Sequence, residues 1–229
     1  MLEDYLVLDL TSDLAAYGTK LLADLGMRVI KVEPPGGDPG RRRPPLARTE
    51  AGLEESLDFA YLNTNKWSIT LNLETALGRQ IFGELAAQAD VICETFERRE
   101  LERLGIDFAE LGCRNPRLVW VSVTPFGRSG PRRDWRGSDL IGWAASGLLF
   151  ATGDPDRPPL LPGGPARLAY MLAGLNCAAA VLLTLRIRRL SGKGQAVDIS
   201  LQEAALVPEV GVPAFLDDLL PRRRTGSRR

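Results

Sequence analysis

The chain reads as an α/β protein: a Rossmann-like, open, mostly parallel sheet with helices on both faces. Three observations carry that reading. Short apolar or alternating runs recur between stretches of helical period. The first thirty residues form a βαβ unit, whose parallel strands require a covered sheet. The 229 residues, 45% apolar and 25% charged, suit a globular unit of one large domain.

Tyr5–Leu10 (YLVLDL) is a short apolar strand. Thr11, Ser12 and Asp13 can cap the helix after it. Leu14, Tyr17, Leu21, Leu22 and Leu25 repeat at a helical period, and Gly26 ends that helix. Val29–Val32 is a second strand. The run PPGGDPGRRRPP (34–45) is a loop on composition. Trp67–Leu73 alternates like a strand. Glu74–Ala89 is helical, with Leu77, Ile81, Leu85 and Ala89 on one face. Val91–Phe96 is a strand, and Leu101–Leu111 a short helix interrupted at Gly105. Leu118–Val123 (LVWVSV) is a strand that turns out through Thr124-Pro125-Phe126-Gly127. Ser138–Phe150 and Pro165–Leu190 are helices, separated by a turn-rich linker from Gly153. Ala196–Leu201 is the last strand. A helix begins at about Gln202 and is broken near Pro208 and Pro213, and PRRRTGSRR is a frayed tail or the start of a linker.

Composition excludes several classes of chemistry. The formal net charge is zero, so no bulk field draws the chain to nucleic acid or to a membrane. Histidine is absent, which removes Ser-His-Asp and Cys-His nucleophiles and His-based zinc sites. Proton transfer must then use carboxylates, Lys, Tyr, Cys or water. Cys93, Cys113 and Cys177 lack metal-ligand spacing, no metal is expected, and a reducing cytoplasmic setting fits them. No secretory signal is seen at the start. Leu168–Leu185 is nearly long enough to cross a bilayer, but its Ala, Gly174, Asn176 and Thr184 favour a buried core helix. PPGGDPG lacks the endings of a phosphate loop and of a dinucleotide fingerprint, which argues against a nicotinamide-binding domain.

Seven segments stand in order at a spacing that resembles one family. They are VLDLT (7–11), LLADLGMRVIKVEPPGGDPGR (21–41), LNTNKWSITLNL (62–73), ADVICETF with LERLGID (89–107), NPRLVWVSVTPFGRSGP (115–131), GSDLIGWAASGLLFATG (137–153) and SGKGQAVDISL (191–201). Together they are similar to the class III CoA-transferases of the CaiB/BaiF type. The resemblance implies a Rossmann-like large domain, a smaller domain, and two chains threaded as interlocked rings. It covers roughly the first half of such a protein. Residues 1–201 are expected to be the large-domain portion, and residues 202–229 a helix and basic tail leading toward a small domain.

The resemblance also implies the chemistry. In the family an aspartate attacks an acyl-CoA thioester and forms an acyl-aspartyl anhydride, expelling CoA thiolate. The thiolate then gives an aspartyl-CoA thioester and releases the donor carboxylate, and an acceptor carboxylate repeats the steps in reverse. That aspartate lies four residues before the glycine of an AG pair. Here the glycine is Gly174, and Tyr170 occupies the position. A phenol, with a pKa of about 10, is mostly protonated at neutral pH and is a poor substitute for a carboxylate. Tyr170 is either an aromatic filling the vacated pocket or a hydrogen-bond donor at the start of a helix led by Gly163-Gly164-Pro165. Asp154 and Asp156 are turn formers first. Asp139 matches an acidic family position and can cap the helix that begins there.

For coenzyme A, the resemblance points to Ala15, Lys66, Thr95, Phe96, Arg103, Leu104 and Arg136. Lys66 is a phosphate contact or a strand-entry surface lysine. Arg103 offers a guanidinium suited to phosphate. The loops depart from the family at AAYGT (15–19), which lacks a proline, and at Arg98-Arg99. Two functions are expected. One is acyl-CoA:carboxylate CoA transfer, or acyl-CoA isomerisation, with a partner supplying the carboxylate. The alternative is a catalytically inactive, truncated CoA-binding or structural subunit. A homodimer or a hetero-oligomer with another family III chain is expected in either case.

Overall fold

The computed structural model describes residues 2–48, 52, 54–151, 157–158 and 167–206. Asp154, Asp156, Gly163-Gly164-Pro165, Pro208, Pro213 and the arginine-rich tail lie outside the described residues.

Six parallel strands form the main sheet: β1 (Leu6–Leu10), β2 (Arg28–Glu33), β5 (Trp67–Thr70), β6 (Val91–Glu94), β7 (Val119–Thr124) and β8 (Ala196–Ser200). Their order is β5-β2-β1-β6-β7-β8. The chain therefore reverses direction across the sheet between β1 and β6, and in open α/β sheets the crevice at that reversal is where ligands bind. The strand order and the parallel pairing are those of the expected Rossmann-like sheet.

Helices cover both faces. On one side lie α1 (Ala16–Asp24), α6 (Asp139–Ala145), α8 (Leu168–Ser191) and α9 (Leu201–Leu206). They enclose a core that includes Leu22, Val121, Trp143, Cys177, Val181 and Leu201. On the other lie α3 (Ala76–Gln88), α4 (Arg98–Leu104) and α5 (Phe108–Arg114). Their core includes Phe82, Ile92, Leu104, Leu118 and Trp120. A short helix α7 (Leu148–Ala151) comes after α6. Burying both faces of a parallel sheet explains why β6 and β7 are buried at every position.

Several boundaries differ from the sequence reading for physical reasons. The interruption expected at Gly105 within Leu101–Leu111 is a full break between two helices, α4 and α5, because Gly105 adopts φ 64° and closes α4. The loop at 34–45 contains a 3-10 turn, Pro39–Arg42, capped by the Asp38 side chain. Beyond it a two-stranded antiparallel hairpin, β3 (Leu46–Arg48) with β4 (Glu54–Ser56), leads into α2 (Leu57–Leu62). These short elements have no apolar period to mark them. α1 has no side-chain cap: the Thr11 hydroxyl donates to Asp9, and the Ser12 carbonyl accepts from Ala15 and Ala16. Gly26 does end α1, at φ 95°, with Gly26 N–H on Ala23 O and Met27 N–H on Leu22 O.

The helix expected from about Gln202 is α9, which begins at Leu201. Leu201, Ala204 and Ala205 of α9 are buried against α8 and α6. α8 is a helix long and apolar enough to cross a membrane. In this fold it is a core helix, with Ala173, Cys177, Val181 and Leu185 packed on α1 and β7.

Candidate active site and its relatives

The carboxyl ends of the strands carry charge inside an otherwise apolar sheet. Asp9 is the next-to-last residue of β1 and is fully buried. Its carboxylate accepts from Thr11 N–H (2.9 Å), the Thr11 hydroxyl (2.6 Å), the Thr19 hydroxyl (2.8 Å) and Lys66 Nζ (2.9 Å). Burial pushes its pKa upward, but Lys66 and Lys31 outweigh burial and hold it well below the usual carboxylate range. Glu33 ends β2. Burial again opposes ionisation, while a two-pronged Arg41 contact at 2.6 Å and the Ser68 hydroxyl bring its pKa to about 2. Glu94 ends β6 and accepts from Arg128 at 2.7 and 2.8 Å, from Trp120 Nε1 at 3.2 Å, from Phe96 N–H at 2.8 Å and from Ser122.

This network decides where Lys66 goes. Its side chain is only 1% exposed. Besides Asp9, its ammonium donates to Asn63 Oδ1 (2.9 Å), Thr19 Oγ1 (2.9 Å) and Ala16 O (3.2 Å). Burial lowers its pKa, and Asp9 acts in the opposite direction. The lysine therefore faces protein acceptors in this structure and ties the loop before β5 to α1.

The other residues expected at a CoA site fall into two groups. Ala15 lies on the segment after β1, and Thr95 and Phe96 on the segment after β6, on either side of the reversal. Ser12 N–H donates to Thr95 Oγ1 at 2.7 Å, and the Thr95 hydroxyl donates to Ser12 Oγ at 3.0 Å, joining the loops that leave the two strands. Ala15 is fully buried in the first core, and Phe96 packs partly on the second. Arg136 reaches the same rim from the far side. Its Nε lies 3.7 Å from Glu97, with the side chain 89% exposed. Arg103 and Leu104 sit apart on α4. Arg103 pairs with Glu74, and Leu104 is buried in the second core.

Tyr170 stands in the first turn of α8, half-buried against the first core. Its N–H donates to Asp139 Oδ1 at 2.9 Å. Asp139 thus caps α8, while Ser138 caps Asp139's own helix by accepting from Ile141 N–H. Burial raises the Asp139 pKa. Burial, then Asp139, raises that of Tyr170, so the phenol keeps its proton at neutral pH. The ring borders a pocket of about 60 Å³ lined by Asp13, Tyr17, Asp58, Tyr61 and Arg167. Arg167 donates to Asp13 at 2.6 Å and also to Asp58, and Arg43 pairs with Asp13. Two cations and two anions cancel there. The sequence reading did not single out Asp58, Arg167, Asp9 or Glu94. Asp9 and Glu94 carry a usable signal, since each is an acid at the carboxyl end of an apolar strand. Asp58 and Arg167 have none, being 109 residues apart in the chain.

The geometry can be set beside known proteins. The pattern described as CoA-transferase family III matches residues 2–223. The subunit BbsE of succinyl-CoA:(R)-benzylsuccinate CoA-transferase from Thauera aromatica is 39% identical over 92% of this chain and 51% of its own length. The acetyl-CoA:oxalate CoA-transferase of Acetobacter aceti is 39% identical over 88% of this chain and 51% of its own. The crystal structure of a CAIB/BAIF family protein from Brucella suis superposes with a TM-score of 0.89 at 33% identity, covering 96% of this chain and 58% of that one. The chain spans about half the length of the curated relatives it matches. With the fold, the ordered motifs and the family match in agreement, the chain belongs to CoA-transferase family III.

Proposed function

We propose that this chain is the cofactor-receiving half of an acyl-CoA:carboxylate CoA-transferase, and that the attacking carboxylate comes from another family III chain. One observation carries the reading. In the first turn of α8, where the family resemblance expects a nucleophilic aspartate, stands a half-buried Tyr170 whose phenol burial keeps protonated. An aryl ester there would be a slow acyl carrier, whereas a carboxylate forms and leaves readily. Acyl-CoA is then the substrate. Its adenosine end would be received beside Thr95 and Phe96, with the exposed Arg136 and Arg103 within reach of phosphate, while Ala15, Lys66 and Leu104, all buried, would shape the site from beneath. No metal enters this reading, and a cytoplasmic setting fits it. The working form is a homodimer or a hetero-oligomer. BbsE is itself named as a subunit, which supports the second. Residues 1–201 would form the large-domain portion.

A second reading is a catalytically silent CoA-binding or structural subunit. The closed ion-pair group of Arg43, Arg167, Asp13 and Asp58 favours it, because it leaves little room beside Tyr170.

Incubation with succinyl-CoA, then hydroxylamine trapping and peptide mass spectrometry, tests the proposal. The chain by itself should give no hydroxamate, and Tyr170→Asp should give one at position 170. A hydroxamate on a carboxylate of the unaltered chain would sink it. Tyr170→Asp that stays unlabelled but binds CoA favours the silent subunit.

A further inference from the structure

The loop from Pro125 to Gly137, between β7 and α6, closes on itself. A Cβ on Gly137 would lie 2.4 Å from the Pro125 Cβ, and Trp135 meets Phe126 edge-on with ring centroids 5.8 Å apart. Its two ends are therefore packed together. Gly127 turns at φ 81°, where a Cβ would lie 3.3 Å from Asp198 Oδ2. The next residue, Arg128, donates its N–H to that same oxygen at 2.7 Å. Its side chain, 20% exposed, runs to Glu94. There a single nitrogen, Nη2, serves Glu94 Oε1 at 2.7 Å, Glu94 Oε2 at 2.8 Å and Phe96 O at 3.0 Å. Glu94 Oε2 accepts the Phe96 N–H at 2.8 Å. One ion pair thus holds both backbone polar groups of Phe96. On the β7 side, Trp120 Nε1 and the Ser122 hydroxyl fix the Glu94 carboxylate. The loop also meets the segment after β6 through water-accessible ion pairs, Arg98 with Asp134 at 3.0 Å and Arg136 with Glu97 at 3.7 Å. Such pairs contribute little, whereas a buried carboxylate with charge-assisted bonds fixes geometry.

We infer that Arg128 is a positioning residue for the cofactor: through Glu94 it sets the Phe96 backbone on one wall of the adenosine site against the loop that carries Arg136 on the other. This rests on the cofactor-receiving reading above and is independent of which group is the nucleophile. Arg128 acts through Phe96 and Arg136 and makes no contact with CoA itself. Because the loop is closed at Pro125 and Gly137, its root at Arg128 places Arg136 as well. A site whose walls are held before the ligand arrives loses less affinity to ordering than one whose loops must settle on binding. Without the guanidinium, the Phe96 carbonyl loses its donor, Glu94 loses its counter-charge, and the two walls are no longer tied beneath the surface. The pattern of one nitrogen on several acceptors also says which replacement works. A lysine ammonium has three donors on one atom, whereas a glutamine amide has two and no charge.

The probe is coenzyme A, its binding to the full chain read by equilibrium dialysis. Arg128→Gln should weaken binding by about tenfold or more, and should speed amide exchange at residues 95–97 before any ligand is added. Arg128→Lys should recover most of the affinity. Arg188→Gln is the matched control. Arg188 is 3% exposed and joins Asp90 Oδ1 to Arg117 O at the opposite end of β6 and β7. Its loss should lower the thermal midpoint and leave CoA affinity within about twofold, as for distant, independent sites. Where Arg128→Gln by itself does not fold, Glu94→Gln combined with Arg128→Gln removes both charges together, and this double variant should fold and show the same loss of affinity. Unchanged CoA affinity in Arg128→Gln or in the double variant overturns the inference and leaves the cofactor reading standing. An equal loss of affinity in Arg188→Gln does the same. Failure of the unaltered chain to bind CoA overturns the cofactor reading, and this inference with it.

Discussion

At the residue scale the decisive pair is Asp9 and Lys66. Both are withdrawn from water, and each satisfies the other's charge. Removing one partner of such a pair leaves an uncompensated buried charge, which costs about 3–5 kcal/mol. Asp9→Asn is therefore expected to lower the unfolding free energy by about that much in urea titration. A loss under about 1 kcal/mol would contradict the burial described. The pH dependence has a definite sign. Asp9 and Glu33 both have folded pKa values below their unfolded ones. Their stabilisation is complete above the ordinary carboxylate range, about pH 4 to 4.5, and is lost as pH falls through the folded value of about 2 for Glu33. The urea midpoint should fall steeply from pH 4.5 toward pH 2, and Glu33→Gln should flatten that slope. The motif NTNKWS identified Lys66 in the sequence. It could not identify Asp9, 57 residues earlier, as the group that takes its charge.

At the element scale the interface of α1 with α8 matters most, because α8 carries position 170. The two helices meet at glycines. A Cβ on Gly18 would lie 2.3 Å from Gly174 O, and one on Gly174 would lie 2.7 Å from Gly18 N. Backbone cannot yield as a side-chain end can, so overpacking costs about 1–3 kcal/mol. Gly174→Ala should depress the thermal midpoint clearly, whereas Leu183→Ala, on the exposed stripe, should stay within about 0.5 kcal/mol of the unaltered chain. Equal midpoints for the two variants would refute the close approach. The same geometry shows where periodicity misled. Of the apolar set Leu14, Tyr17, Leu21, Leu22 and Leu25, Leu14 and Leu22 are buried, Tyr17 and Leu21 partly so and Leu25 exposed, while Gly18, Thr19 and Ala23 complete the buried face of α1. On α3, Leu77 and Ile81 are exposed, while Gly78, Phe82 and Ala86 are buried. Close packing selected small residues and one large ring, which a count of leucines does not reveal.

For the whole molecule, the outward face of α8 sets solution behaviour. Leu175, Leu183, Ile187 and Leu190 leave an apolar stripe in water. Such a surface drives association at about 25 cal/mol per Å² covered. The chain by itself should show concentration-dependent aggregation in light scattering, and the double change Leu183→Glu, Leu190→Glu should suppress it. A sharp monomer peak with the stripe unaltered would count against this.

The sequence by itself determined the family, the alternation of strands and helices, and a tyrosine at position 170, where the resemblance expects a carboxylate. Those depend on local period and on residues at fixed spacing along one chain. Only the tertiary structure decided which face of α1 and α3 is buried, that Lys66 is spent on Asp9, that Asp139 caps α8, and that α8 turns leucines outward. Each of those depends on groups far apart in the chain meeting where water is excluded. There, a charge must find its counter-charge and an apolar face its partner, and one-dimensional spacing does not record which group arrives.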